Sequence, residues 1–192
     1  MSLTKQAKTL SKHQIALTSA LLQQTRYPTR NLVIFLLSVK AGMRAKEIAS
    51  LTWDMITDAE GRLGSAIHLR DGARKGNSRR IIPLNKELRA ALETLQKGRG
   101  RSPYVIATER AEKTSAAAIV NLFAAWYRAV GLRGCSSHSG RRTFITNAAR
   151  KISTVGGSLR DVQRLAGHKA LGTTQRYIEA EVEAQRRVVD LV

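Results

Sequence analysis

"RNLVIFLLSVKAGMRAKEIASLTW", residues 30–53, decides how the rest of the chain is read. From Leu32 to Val39 apolar residues occupy nearly every side, so a helix here has to be buried all round instead of lying on a surface. Gly42 stops it in the manner of a glycine C-cap, and "AKEIASL" reads as a short second helix with Arg44 at its start. Arg44 and Glu47 are three residues apart, about 300° around a helix, and so stand as neighbours. As a surface ion pair they would contribute less than ~1 kcal/mol. Alternatively, Glu47 orients an arginine that must face an anion. This segment alone is compatible with both.

The remaining elements fit around that central helix. Ser11 and Gln14 form a capping-box pattern ahead of Ile15, Leu17, Leu21 and Leu22, which predicts a helix over about 12–24. Between "GSAIHLR" and "RRIIPL" the period changes, and two strands at about 66–70 and 79–84 enclose "DGARKGNS" as a hairpin. Asn85 caps a helix carrying Leu88, Ala91, Leu92 and Leu95. Ser115 starts another, with Ala118, Ile119, Leu122, Phe123, Trp126 and Val130 on one side and Gly131 at its end. Helices near 139–151, 159–166 and 173–191 complete an α+β chain, mainly α-helical, with one small antiparallel sheet. Residues 1–192 read as a single domain, with 1–10 a flexible N-terminus.

The composition points to a polyanionic partner. Lys and Arg number 33 against 14 Asp and Glu, a net charge of +19, far more than solubility requires. Cys135 is the single cysteine, which excludes an internal disulfide and a Cys-based zinc site and fits a reducing cytosol. No apolar run approaches the length of a membrane span, and the N-terminus lacks a signal-peptide core. A cytoplasmic protein is expected.

Three clusters could carry chemistry. In "SSHSGRRTF", His138 and Arg141 are again three apart at a helix start, where unpaired N–H groups favour anions. Arg142, at i+4, serves almost as well by spacing. The hairpin tip groups Arg74, Lys75, Arg79 and Arg80, which either enter a groove or keep an exposed turn soluble. In "LAGHKALGTTQRYIEAE", His168 and Tyr177 would face opposite ways on one helix, but Gly167 and Gly172 make an uninterrupted helix unfavourable. No phosphate-binding GxxxxGK[ST] loop is present, and the carboxylates show no spacing suited to a pair of catalytic metals. Cys135 and His138 are a poor match to a thiol nucleophile and its base.

Taken in order, Arg44 in "AGMRAKEIASL", Lys75 in "RKGNSRRIIPL", His138 and Arg141 in "HSGRRTF", His168 in "LAGH" and Tyr177 in "TTQRY" resemble the tyrosine recombinase, or phage integrase, family. Each fragment is weak alone; the ordered set, over about residues 10–185, is specific. The resemblance implies a catalytic-domain fold, Tyr177 as nucleophile, Arg141 rather than Arg142 as the second arginine, Glu47 as the acidic residue near the first, and Arg74, Lys75, Arg79, Arg80 and Arg142 as DNA contacts. Gly140 stands where leucine is more usual, and Ala166 likewise. Only about 10 residues precede the first helix, so the chain resembles a catalytic domain standing alone, as in short fimbrial phase-variation recombinases, or a fragment of a longer protein.

The implied reaction is site-specific cutting and rejoining of double-stranded DNA through a 3′-phosphotyrosyl intermediate, serving integration, excision or inversion, with no cofactor, metal or ATP. The implied assembly is a homo-tetramer on DNA and a monomer or weak oligomer without it, aided by an accessory DNA-binding protein. Residues 178–192 would form a C-terminal helix that packs on its own domain or is exchanged between protomers. Relaxation of DNA by a type IB topoisomerase and non-catalytic DNA-binding regulation are the rival readings.

Overall fold

A computed structural model describes residues 7–70, 80–98, 100–108, 111–177 and Val189. Its elements run α1 (Lys12–Gln23), α2 (Pro28–Val39), α3 (Ala45–Ala49), a 3₁₀ turn (Trp53–Met55), β1 (Ala66–Leu69), β2 (Arg80–Pro83), α4 (Lys86–Lys97), α5 (Ala116–Ala129), α6 (Ser139–Lys151), a second 3₁₀ turn (Ile152–Val155), α7 (Leu159–Ala166) and α8 (Leu171–Gln175). The chain divides into two compact units, residues 1–144 and 145–192, and the division falls within α6.

In the first unit α2 is the central element. Val33 through Leu37 are fully buried, as the all-round apolar pattern requires. It starts at Pro28, two residues before the expected Arg30, because proline's fixed φ and missing N–H suit the first helical turn. Helices α1, α3 and α4 pack on α2, and α5 packs on α1 and α3. Ser11 and Gln14 form the expected capping box, and Asn85 and Ser115 each accept a backbone N–H at the start of α4 and α5. Two expectations about facing differ: Leu17 is exposed while Thr18 and Leu22 are buried, and in α5 Tyr127 takes the inward place expected of Val130. Leu10, in the stretch expected to be loose, is instead buried, with its amide donating to Thr143 Oγ1 at 2.7 Å.

The two strands pair antiparallel, with Ile67 opposite Ile82 and Leu69 opposite Arg80. Residues 71–79, and with them Arg74, Lys75 and Arg79, lie outside the described residues, as does the proposed C-terminal helix apart from Val189.

In the second unit α7 ends at Gly167, whose φ of 63° is the left-handed conformation of a C-cap. Gly172 does not break the chain as expected; it lies inside α8. That helix begins at Leu171, two residues before the expected start, and ends before Tyr177 instead of running through it. Among the described residues no helix is long and apolar enough to cross a membrane.

Candidate active site

The end of α2 positions the site residues of the first unit. Gly42 has φ +62°, and a Cβ there would lie 2.4 Å from Phe144 Cδ1, so backbone conformation and space both demand glycine. Its N–H donates to Ser38 O at 3.1 Å, closing α2, and the Gly42 carbonyl accepts from Arg141 Nη1. Arg141 is 4% exposed, whereas Arg142 is only half-buried. Spacing could not choose between these two arginines; the packing of α6 turns Arg141 inward.

Arg44 precedes α3. Glu47 Oε2 accepts the Arg44 backbone N–H at 2.7 Å, and Oε1 accepts from Arg44 Nη1 at 2.8 Å. The pair is therefore both a helix cap and an ion pair. Oε1 also accepts from Arg80 Nη1 at 2.9 Å, and Arg80 Nη2 makes long contacts to the carbonyls of Ala41 (3.4 Å) and Gly42 (3.5 Å). Arg80 thus departs from the expected hairpin-tip position: its side chain is 9% exposed and lies on Glu47. Strand parity accounts for this, since Arg80 shares a face of β2 with buried Ile82 while Ile81 points to solvent. That parity was the available signal for a role missed in the sequence.

Burial pushes the Glu47 carboxyl up. Arg80, the Arg44 N–H and guanidinium, and Arg141 more than offset this and hold it below the ordinary carboxylate range. Three guanidinium groups around one carboxylate leave two positive charges in excess, suited to a phosphodiester and its more highly charged transition state.

His138 is exposed, immediately before α6. Its N–H donates to Ser136 Oγ at 3.3 Å and its carbonyl accepts from Arg142 N at 2.9 Å. These contacts anchor its backbone at the helix start.

The second unit holds the other half of the expected set. Gly167 turns the chain so that His168 and Tyr177 lie together, ring centroids 5.4 Å apart and planes within 25°. His168 Nδ1 is 2.9 Å from the hydroxyl oxygen of Thr174, which is fully buried, and the Tyr177 carbonyl accepts from Thr146 Oγ1 at 3.3 Å. The sequence reading assigned Thr174 no part. The structure thus brings together Arg44, Glu47, Arg80 and Arg141 in one unit and His168, Thr174 and Tyr177 in the other.

Solved recombinases share this fold. A XerA recombinase crystal structure superposes with a TM-score of 0.75 at 23% identity, covering 95% of this chain and 64% of that one. A Tn1549 transposon integrase structure in complex with circular intermediate DNA gives 0.76 at 19%, covering 98% and 67%. The architecture is therefore that of a tyrosine recombinase catalytic domain, mainly helical with a small antiparallel sheet.

The phage integrase family model matches residues 8–184, and the chain belongs to that family. Relatives include tyrosine recombinase XerA of Thermococcus onnurineus, 30% identical over 187 residues, 94% of this chain and 61% of that protein. Tyrosine recombinase XerA of Pyrococcus horikoshii is 29% identical over 165 residues, 84% and 54%. Tyrosine recombinase XerC of Pelobacter propionicus is 28% identical over 174 residues, 88% and 53%. The chain thus spans between half and two thirds of the length of these relatives.

Proposed function

We propose that the protein is a site-specific DNA recombinase that cuts and rejoins double-stranded DNA through a 3′-phosphotyrosyl intermediate. The observation that carries this is the cluster of Arg44, Arg80 and Arg141 around Glu47, in a chain whose Tyr177 is held beside His168. At pH 7 only ~0.1% of a phenol with a pKa of about 10 is ionised, so attack needs a proton acceptor and a cationic surround. Tyr177 Oη attacks phosphorus, its proton passing to His138, while the bond to the 5′ oxygen breaks and Lys75 protonates the leaving oxygen. Arg44, Arg141 and His168 donate to the two non-bridging oxygens, stabilising the pentacoordinate charge. One phosphoester replaces another, so no metal, ATP or other cofactor is called for.

A second 5′-hydroxyl then attacks the phosphotyrosine, exchanging strands, which calls for a homo-tetramer on DNA. Solved structures of this fold include a lambda integrase dimer bound to a COC′ core site and XerH bound to difH substrate, in keeping with a duplex DNA partner. Further expectations are DNA contacts from Arg74, Arg79 and Arg142, an accessory DNA-binding protein, and C-terminal exchange between protomers.

Incubation with a library of nicked suicide duplexes in EDTA should give a covalent protein–DNA adduct. Tyr177→Phe should abolish the adduct and leave DNA affinity intact. An adduct undiminished in Tyr177→Phe would overturn the nucleophile assignment, and dependence on added Mg²⁺ would point to a metal nuclease. Adduct formation by monomers that relax supercoils without exchange would indicate a topoisomerase; binding with no adduct would indicate a regulator.

A further inference from the structure

Arg80 contacts acceptors used by both of the other arginines at the α2–α3 junction. Its Nη1 shares Glu47 Oε1 with Arg44, and its Nη2 reaches the Gly42 carbonyl to which Arg141 donates. A planar guanidinium can span a carboxylate and a pair of backbone carbonyls at once; a lysine ammonium, a single compact charge, cannot hold the same set. With Nη1 on Glu47 and a side chain only 9% exposed, Arg80 is turned away from solvent, whereas the Arg44 side chain is 43% exposed.

We propose that Arg80 is a positioning residue: by tying Glu47 and the Ala41–Gly42 backbone together, it fixes the acceptors against which Arg44 and Arg141 are aimed, and it does not contact DNA. The proposal rests on the recombinase reading above. Because β2 carries Arg80, it also makes the base of the hairpin part of the arginine scaffold.

The test compares wild type, Arg80→Met, Arg80→Lys, Glu47→Gln and the Glu47→Gln/Arg80→Met double variant. Affinity is measured on a random-sequence 30-base-pair duplex across a salt series, and cleavage on the nicked duplex captured by wild type, at saturating DNA. Arg80→Met is expected to leave affinity and the salt slope unchanged while slowing cleavage about 10²-fold, the scale of a small displacement of reacting groups. Arg80→Lys should recover part of that loss. The double variant should be no slower than the slower single variant, since both act through one carboxylate.

A salt slope shallower by about 0.9 with cleavage at saturation unchanged would make Arg80 a phosphate contact and overturn the proposal. Multiplying effects in the double variant would also overturn it. If Arg80→Met does not fold, Arg80→Lys and Glu47→Gln still decide: slower cleavage at unchanged affinity supports the proposal, and wild-type rates in both refute it. An absent adduct in wild type removes the recombinase reading itself, whereas equal adduct in wild type and Arg80 variants removes only this inference. Independently of DNA, ¹³C NMR should show the Glu47 carboxyl titrating at higher pH in Arg80→Met, and an unmoved titration counts against the ion pair.

Discussion

Glu47 serves at once as helix cap, ion-pair partner and shared acceptor, and its titration reports all three. Its folded-state carboxyl lies below the ordinary value of 4.5, so its contribution to stability is fully present above that pH and is lost as pH falls through the depressed value. The melting-temperature gap between wild type and Glu47→Gln should therefore be wide at pH 7 and shrink below about pH 4.5, a trend that thermal melts across pH will check. Thr174 offers a second residue-scale test. Its hydroxyl oxygen sits 2.9 Å from His168 Nδ1 and so holds the ring's rotation. Thr174→Val should slow adduct formation about tenfold, roughly one ordinary hydrogen bond, and Thr174→Ser should restore it at unchanged DNA affinity. Equal rates in all three would remove Thr174 from the site.

Among the elements, α6 is set by what its first turn lacks. A Cβ on Gly140 would lie 2.3 Å from Ser38 Oγ and 2.9 Å from Val39 Cγ1, so glycine permits α6 to rest against the end of α2. Glycine at 140 thus has a local physical cause, and it bears on the neighbouring Arg141. Gly140→Leu should destabilise the protein by about 1–3 kcal/mol through overpacking and slow the adduct further than that loss alone implies. Gly140→Ala with Ser38→Ala should be milder than Gly140→Ala alone, measured by denaturant unfolding. The hairpin gives a related lesson. Its strands were legible from period-two patterning, and the same patterning would have turned Arg80 inward had parity been followed through the run "RRIIPL". At α8 no local signal marks the helix start, because alanine and leucine at 170–171 carry no capping side chain, and of the two glycines expected to interrupt the helix only Gly167 does so.

For the whole molecule, net charge governs affinity. With +19 on 192 residues, duplex binding should be dominated by counterion release. Six to ten phosphate contacts would weaken binding by about 10³ to 10⁵ between 50 and 200 mM salt, measurable by fluorescence anisotropy on a random duplex. A flat salt profile would show that the excess charge is not spent on DNA.

Several properties of this chain are determined by sequence alone because they depend on local periodicity and on residue type. The buried α2, the caps at Ser11, Asn85 and Ser115, the antiparallel pair, the basic surplus and the ordered Arg–Lys–His–Arg–His–Tyr set all belong here. Which residues meet is a different matter, since it depends on segments far apart in the chain. Only the folded chain buried Arg141 and left Arg142 half-exposed, turned Arg80 onto Glu47 across 33 residues, and set the Gly42 carbonyl against an arginine 99 residues on. Buried charges take whichever partners packing leaves within reach, and packing is settled by the whole core instead of by any one motif.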